Sequence, residues 1–415
     1  AGSYMHRKHG SRGEDLENIL DKLCEEGFDV TIIDRNSYSN TLNIFPNKYS
    51  KLLYNAESYL SLINTIMMNF EFIVNVNSVT NSESMFARRV LECFVQKKII
   101  ISNHSPAFNK YFNGLIFSCG DIKNLSKLTF IEREIIKFNG FKQVYLKFTD
   151  KMFYNMLIDN LNIPKFFEYK SLKYNPLVSV ICCTNRFFSL GDIINSYDKQ
   201  TYENKELLIC LNIDKKNISV NEINKYMKKI NYISRVSLIT LDSANTLGFC
   251  LNKLCDYCNG TIIQKIDDDD YYSEDFIKNT VMFYDIYNPD VLGKLSTLVY
   301  LIDTKELYIR KKIYTDKVIT DFVAGGTISF LKKTNLKFGD LNRGEDTFLL
   351  KIAVKKNFKI LSSFIFDYCY IRKAPENHTW NIPNSSFIKP GRDFLLGTFE
   401  RFPEDIIDGK IQQFI

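Results

Sequence analysis

Four consecutive carboxylates, Asp267-Asp268-Asp269-Asp270, follow the apolar stretch Ile262-Ile263-Gln264-Lys265-Ile266, and a second acidic motif, Gly344-Glu345-Asp346, lies further along the chain. Adjacent carboxylates repel one another unless something positive neutralises them, and a divalent cation held by oxygen ligands does so. Such a cation can in turn hold a diphosphate. Taken alone, each motif has a plainer reading. The aspartate run suits a solvated turn capping a following helix from Ser273 or Asp275, and Glu345-Asp346 suits a helix start whose acids complement the macrodipole. The position of the first motif after an apolar run, and the presence of the second, favour the metal.

The elements that must position these residues follow from hydrophobic patterning. Leu177 to Cys183 is a near-continuous apolar run of the kind that forms a buried parallel strand. Further strands are expected at Glu206–Leu211, Val236–Leu241 and Thr261–Ile266, with a helix at Gly248–Cys258. The acidic run then falls at the carboxyl end of a parallel strand, where open α/β sheets bind ligands. In the first half, a helix is expected over Asp15–Glu26, strands over Phe28–Ile33, Phe70–Val76 and Lys98–Ser102, and a helix over Ser84–Val95. Strand, helix, strand in that order predicts a parallel, Rossmann-like sheet.

A length of 415 residues allows two or three domains, and 45% hydrophobic with 25% charged residues is the balance of a globular protein. The formal charge of +6 carries no block of consecutive Lys and Arg, so nucleic acid is not an expected partner. No apolar run reaches the roughly eighteen residues of a membrane span, and no signal peptide is evident. Residues Ala1 to Gly10 read as a cloning remnant, and 1–13 are set aside as a disordered tag. The ten cysteines fall mostly in apolar segments and read as reduced thiols of a cytoplasmic protein. Cys255-x-x-Cys258 lacks the second pair or histidine of a zinc set. The expected division is residues 14–165, a catalytic domain over 176–385, and a tail over 386–415 packing on it.

From about 176 to 382 the motifs, in order, resemble the family-two glycosyltransferases of GT-A fold. Val178 to Arg186 is similar to their first strand and nucleotide-contacting turn. Ser196-Tyr197, Gln200-Thr201-Tyr202 and Glu206-Leu207-Leu208-Ile209 follow, then Thr246-Leu247-Gly248, Leu251-Asn252 and Gly260. Asp267 to Asp270 stands where the family carries D-x-D, and Gly325-Gly326-Thr327 and Gly344-Glu345-Asp346-Thr347 complete the set. Two departures stand out: Asn212 replaces the Asp that commonly contacts the base, and Leu251 precedes Asn252 where Arg is frequent.

The resemblance implies an α/β fold and a metal-dependent, inverting transfer from a nucleotide sugar, a UDP-sugar by expectation. Thr184, Asn185, Arg186, Asn212, Asn252, Asp267 and Asp268 would contact the nucleotide. Asp267, Asp269 and the loop residue His378 would hold Mn2+ or Mg2+, offsetting charge on the leaving diphosphate. An inverting displacement needs a base on the far side of the anomeric carbon. Asp346 matches that base, and Glu345 would orient it. Gly326, Thr327 and Trp380 are candidates for the acceptor site. Exposed loop His378 and loop-anchoring Trp380 are the bland alternatives, and an ordinary salt bridge is favoured for Arg372 over a phosphate contact.

In the first half, Phe72 to Ser78, Met85 to Glu92 and Ile99 to Asn103 resemble the carboxyl-terminal half of a GT-B glycosyltransferase of the spore-maturation type. Glu92 would match its ribose-binding glutamate. Lys97-Lys98 replaces the small Gly expected there and no complete amino-terminal half precedes, so this domain is expected to be non-catalytic. The leading function is transfer to a glycan or lipid-linked glycan in bacterial surface polysaccharide synthesis, in the cytoplasm or at the inner face of the membrane by peripheral association. A protein or peptide glycosyltransferase and a silent glycan- or nucleotide-binding scaffold are alternatives. A sugar nucleotidylyltransferase would need a Gly-rich loop that Thr184-Asn185-Arg186-Phe187 does not supply.

Overall fold

The computed structural model describes residues 11–34, 45–55, 58–62, 67–150, 174–214, 235–311, 319–373 and 382–410. Two compact units result, Ala1–Tyr169 with Gly409–Ile415, and Lys170–Asp408.

The second unit is built on a seven-stranded sheet. Its strands run, in spatial order, Ile360–Ser362, Val291–Gly293, Ser329–Leu331, Ile262–Lys265, Val178–Thr184, Lys205–Asn212 and Val236–Leu241. Ser329–Leu331 is antiparallel to both its neighbours and the remaining pairs are parallel. Six of the seven residues in Val178–Thr184 are buried, as a central strand covered on both faces requires. The helix Leu247–Tyr257 packs on this sheet through Cys250, Leu251, Leu254 and Cys255. It starts where Thr246 Oγ1 accepts the Phe249 N–H at 3.0 Å, which satisfies one of the four free amides of the first turn.

A second sheet of the same unit orders Tyr271–Tyr272, Tyr368–Arg372, Thr297–Leu301, Glu306–Arg310 and Phe394–Thr398. The acidic run therefore bridges the two sheets: Ile262–Lys265 belongs to one and Tyr271–Tyr272 to the other. Leaving one sheet and entering the other fixes both ends of Asp267 to Asp270, so that the four carboxylates cannot all face solvent. Downstream, Asp408 Oδ1 and Glu404 Oε1 accept from the Tyr271 hydroxyl at 2.8 and 2.9 Å, and the Asp367 N–H donates to Ile407 O at 2.7 Å.

The first unit carries a three-stranded parallel sheet of Phe72–Asn75, Ile99–Ser102 and Ile116–Phe117, covered by helices that include Arg12–Glu25, Arg89–Val95 and Phe130–Lys147. The expected strands Phe70–Val76 and Lys98–Ser102 are trimmed at their ends to Phe72–Asn75 and Ile99–Ser102, and two further elements lose more. The strand expected over Phe28–Ile33 is reduced to Ile32–Ile33, the two residues that pair with Leu53–Tyr54 among the described residues. The helix expected from Ser84 begins at Arg89, because side chains hold the preceding amides: Ser82 Oγ accepts from Met85 N at 3.1 Å, and Asn77 Oδ1 from Ala87 N at 3.1 Å.

Candidate active site

Each carboxylate of the acidic run has its own surroundings. Asp268 is held from the first-strand turn: Arg186 Nε donates to its Oδ2 at 3.0 Å, Arg186 Nη2 pairs with its Oδ1, and the Thr184 hydroxyl also donates to it. The same Nη2 lies 2.9 Å from Asp269 Oδ2. Asp267 pairs with Lys265 Nζ, and its backbone N–H donates to the Tyr272 hydroxyl at 2.8 Å. Asp270 turns to the second sheet and accepts from Tyr368 OH at 2.6 Å and from the Ile371 N–H at 3.1 Å. The sequence leaves Asp268 and Asp270 indistinguishable. The fold separates them, giving Asp268 to Thr184 and Arg186 of the first-strand turn and Asp270 to the second sheet.

Burial drives the Asp269 carboxyl above its usual range, and the charges of Asp267 and Asp268 add to the rise against the pull of Arg186. Burial raises Asp270 further, reinforced by Asp267 and Asp269.

The second motif is a helix start, and it also faces the first. Gly344, with φ +80°, is the N-cap of the helix Glu345–Lys355. Gly325 and Gly326 lie between the two motifs. A Cβ on Gly325 would sit 2.0 Å from Asp346 Oδ2, and one on Gly326 would sit 2.9 Å from Asp267 Oδ2 and 3.1 Å from Asp270 Oδ2. Glycine is required at both because a side chain would occupy the space the carboxylates use.

Lys265, only 4% exposed, lies at the centre of this arrangement. Burial pulls its ammonium down, but Asp267, Asp346 and Glu345 outweigh that and raise it above the ordinary value. Glu345 is 6% exposed, and burial pushes its carboxyl up to about 7, with Lys265 opposing and Asp346 assisting. Lys265 was not singled out from the sequence. The signal was there: a lysine inside an apolar strand that ends in four aspartates has a carboxylate as its natural partner.

The remaining expected site residues are placed as follows. Asn185 is exposed at the turn. Asn212 donates through Nδ2 to Asn245 O at 3.0 Å, while its Oδ1 is buried with no partner among the described residues. Asn252 uses both ends of its amide on the backbone of Phe338, each at 2.9 Å, so it clasps a loop. The Thr327 hydroxyl is likewise engaged, donating to Ala324 O at 2.8 Å and accepting from Lys294 N at 2.9 Å. Arg372 is fully buried and bonds to Asn384 Oδ1 at 3.1 Å and to Ile382 O. His378 and Trp380 lie outside the described residues. In the other unit, Glu92 is taken up by Arg88 Nε at 2.7 Å and by Tyr59 OH at 2.6 Å.

The acids fit a divalent cation by charge. Asp267, Glu345 and Asp346 lie about Lys265, and Asp268 and Asp269 about Arg186, so that among the described residues the acids of this arrangement outnumber these two cations. The atoms are not gathered as a preformed cage. Among the described residues, the group whose ligand atoms all lie within 4.8 Å of one another is Cys183, Cys210 and Cys250.

Residues 179–315 match the family model described as "Glycosyl transferase family 2". Among solved structures, S. aureus TarS residues 1–349 align at 18% identity with a TM-score of 0.37, over 48% of this chain and 61% of that one. The same protein in complex with UDP-GlcNAc aligns at 16% identity and 0.38. The mannosyltransferase PcManGT of Pyrobaculum calidifontis, in complex with GDP-Man and Mn2+, aligns at 11% identity and 0.38, over 60% and 70%. The chain thus spans less than two thirds of the TarS structure. No curated protein sequence matches this chain.

Proposed function

From the premise that residues 179–315 form a glycosyltransferase family 2 domain, we propose that this protein moves a sugar from a nucleoside diphosphate sugar to a glycan acceptor, with inversion at the anomeric carbon. The observation that carries the reading is the approach of two acidic motifs across Gly325-Gly326, with Asp267 on one side and Asp346 on the other.

Asp267 and Asp269 would hold Mn2+ or Mg2+, which when bound offsets the charge developing on the leaving diphosphate. Thr184 and Arg186 hold Asp268 and fix the turn against which the nucleotide lies. Asn212 presents a buried Oδ1 with no partner among the described residues, and a base with an N–H on its pairing edge, such as uracil N3–H, would supply a donor. Asp346 takes the proton of the acceptor hydroxyl as it attacks. Glu345 is the alternative base, favoured by its pKa of about 7, but it is 6% exposed whereas Asp346 is half-buried and open to an acceptor.

The acceptor in this reading is a glycan or lipid-linked glycan of a bacterial surface polysaccharide, reached from the cytoplasm. Among the described residues no helix is long and apolar enough to cross a membrane. The test is hydrolysis and transfer from a panel of nucleotide sugars with and without Mn2+, preceded by a thermal-shift screen, since a ligand of the native state raises the midpoint. Metal-dependent turnover supports the proposal. Binding without turnover on any donor would leave a glycan- or nucleotide-binding scaffold.

A further inference from the structure

We infer that Cys183, Cys210 and Cys250 form a binding site for one soft, thiolate-preferring cation of the Cu(I) class. Cys183 and Cys210 are register partners on the adjacent parallel strands Val178–Thr184 and Lys205–Asn212, and so project to the same face of the sheet. The helix Leu247–Tyr257 packs on that face and brings Cys250 from its first turns. All three Sγ atoms lie within 4.8 Å of one another. Three thiolates around one ion at a metal–sulfur distance of about 2.3 Å would stand roughly 4 Å apart. A contraction of less than an ångström therefore converts the cluster into a trigonal site.

The donor set selects the ion. Among the described residues no histidine or carboxylate joins the three sulfurs, and sulfur alone favours soft ions. Zn2+ almost always takes four ligands in structural sites, whereas Cu(I) is content with sulfur at lower coordination. Cys210 and Cys250 are fully buried, in an apolar shell that includes Ile181, Leu208, Leu251 and Val323, which excludes water and oxidants. Cys183 is only half-buried and provides the way in. Hydrogen bonds within the trio lower the pKa of Cys250 and, with burial, raise that of Cys183, so the three thiols are mutually coupled.

None of the three residues belongs to the acidic motifs, although Cys183 adjoins Thr184 at the end of the first strand. The test is anaerobic competition between the reduced full chain and a chromophoric Cu(I) chelator. The parent is expected to withdraw one equivalent of Cu(I) with an increase in thermal midpoint. Cys210→Ala, Cys250→Ala and Cys183→Ala should each weaken retention at least tenfold, whereas Cys255→Ala should retain it. Circular dichroism separates loss of the site from loss of the fold. Cys183→Ala, at the half-buried position, is the variant whose result stands if the buried ones unfold. Failure of the parent to take Cu(I) from the chelator, or equal retention by all variants, would overturn the proposal whatever the outcome with nucleotide sugars.

Discussion

Arg186 spans two neighbours of the acidic run: its Nε is 3.0 Å from Asp268 Oδ2, and its Nη2 is 2.9 Å from Asp269 Oδ2. A guanidinium in that position neutralises carboxylates that a divalent cation would also claim. Arg186→Gln should therefore bind Mn2+ more tightly than the parent when nucleotide is absent. Loss of charged hydrogen bonds should lower the stability of the metal-free protein by about 1–3 kcal/mol. Calorimetric titration reads the first effect and denaturant midpoints the second. Weaker Mn2+ binding by the variant would mean that Arg186 organises the ligands and does not compete with the ion.

Asp269 carries the most direct test of the cation. Asp269→Ala should abolish metal-dependent nucleotide binding and leave the fold intact, because it removes a carboxyl whose burial and like-charged neighbours already raise its pKa. Unchanged nucleotide affinity in calorimetry with Mn2+ would take Asp269 out of the site.

The base assignment is tested by a pair of isosteric changes. Asp346→Asn should lower turnover by about 10²–10⁴-fold with donor affinity unchanged, since it keeps the shape and removes the proton acceptor. Glu345→Gln should cost less. The reverse ranking would move the base by one residue, and parental turnover in both would reduce the motif to a helix start.

Glu345 also predicts a pH dependence of stability. Its carboxyl rises from 4.5 to about 7 in the folded protein. Between those values the native state keeps a proton that the unfolded chain has released, so this group makes stability fall as pH rises. At about 1.4 kcal/mol per unit the loss is on the order of 3 kcal/mol once pH passes 7. Glu345→Gln lacks the titration. Its stability relative to the parent should climb from about pH 4.5 to about 7 and then level off, read as denaturant midpoints in the presence of a chelator. A relative stability that stayed level over this range, and declined with rising pH only below about 4.5, would place Glu345 among the carboxylates held ionised.

In the other unit, Glu92→Ala should leave transfer nearly unchanged. Its carboxylate is committed to Arg88 and Tyr59, at 2.7 and 2.6 Å, and not offered to a ribose. A loss of turnover with normal circular dichroism would show that this unit takes part in the reaction.

The sequence by itself determined the local elements and the ends on which chemistry sits. An apolar run closing on four aspartates specifies a buried strand with acids at its carboxyl end, and Gly344 before Glu345-Asp346 specifies a helix start, because strand and helix periods and capping preferences are written in neighbouring residues. Only the tertiary structure decided what each acid meets. Arg186 and Asp268 are 82 positions apart, and Tyr368 and Asp270 are 98 apart. Their pairing depends on Ile262–Lys265 lying beside Val178–Thr184 and on the chain then crossing to a second sheet. The same holds for Cys183, Cys210 and Cys250, which read as separate core thiols until strand register and helix packing bring them together. Asn252 and Thr327 show the converse: residue types suited to ligands are consumed by backbone groups that only the folded chain brings near them. Local propensity acts over a few residues, whereas side-chain partners are set by sheet order and crossover, which no short window of sequence contains.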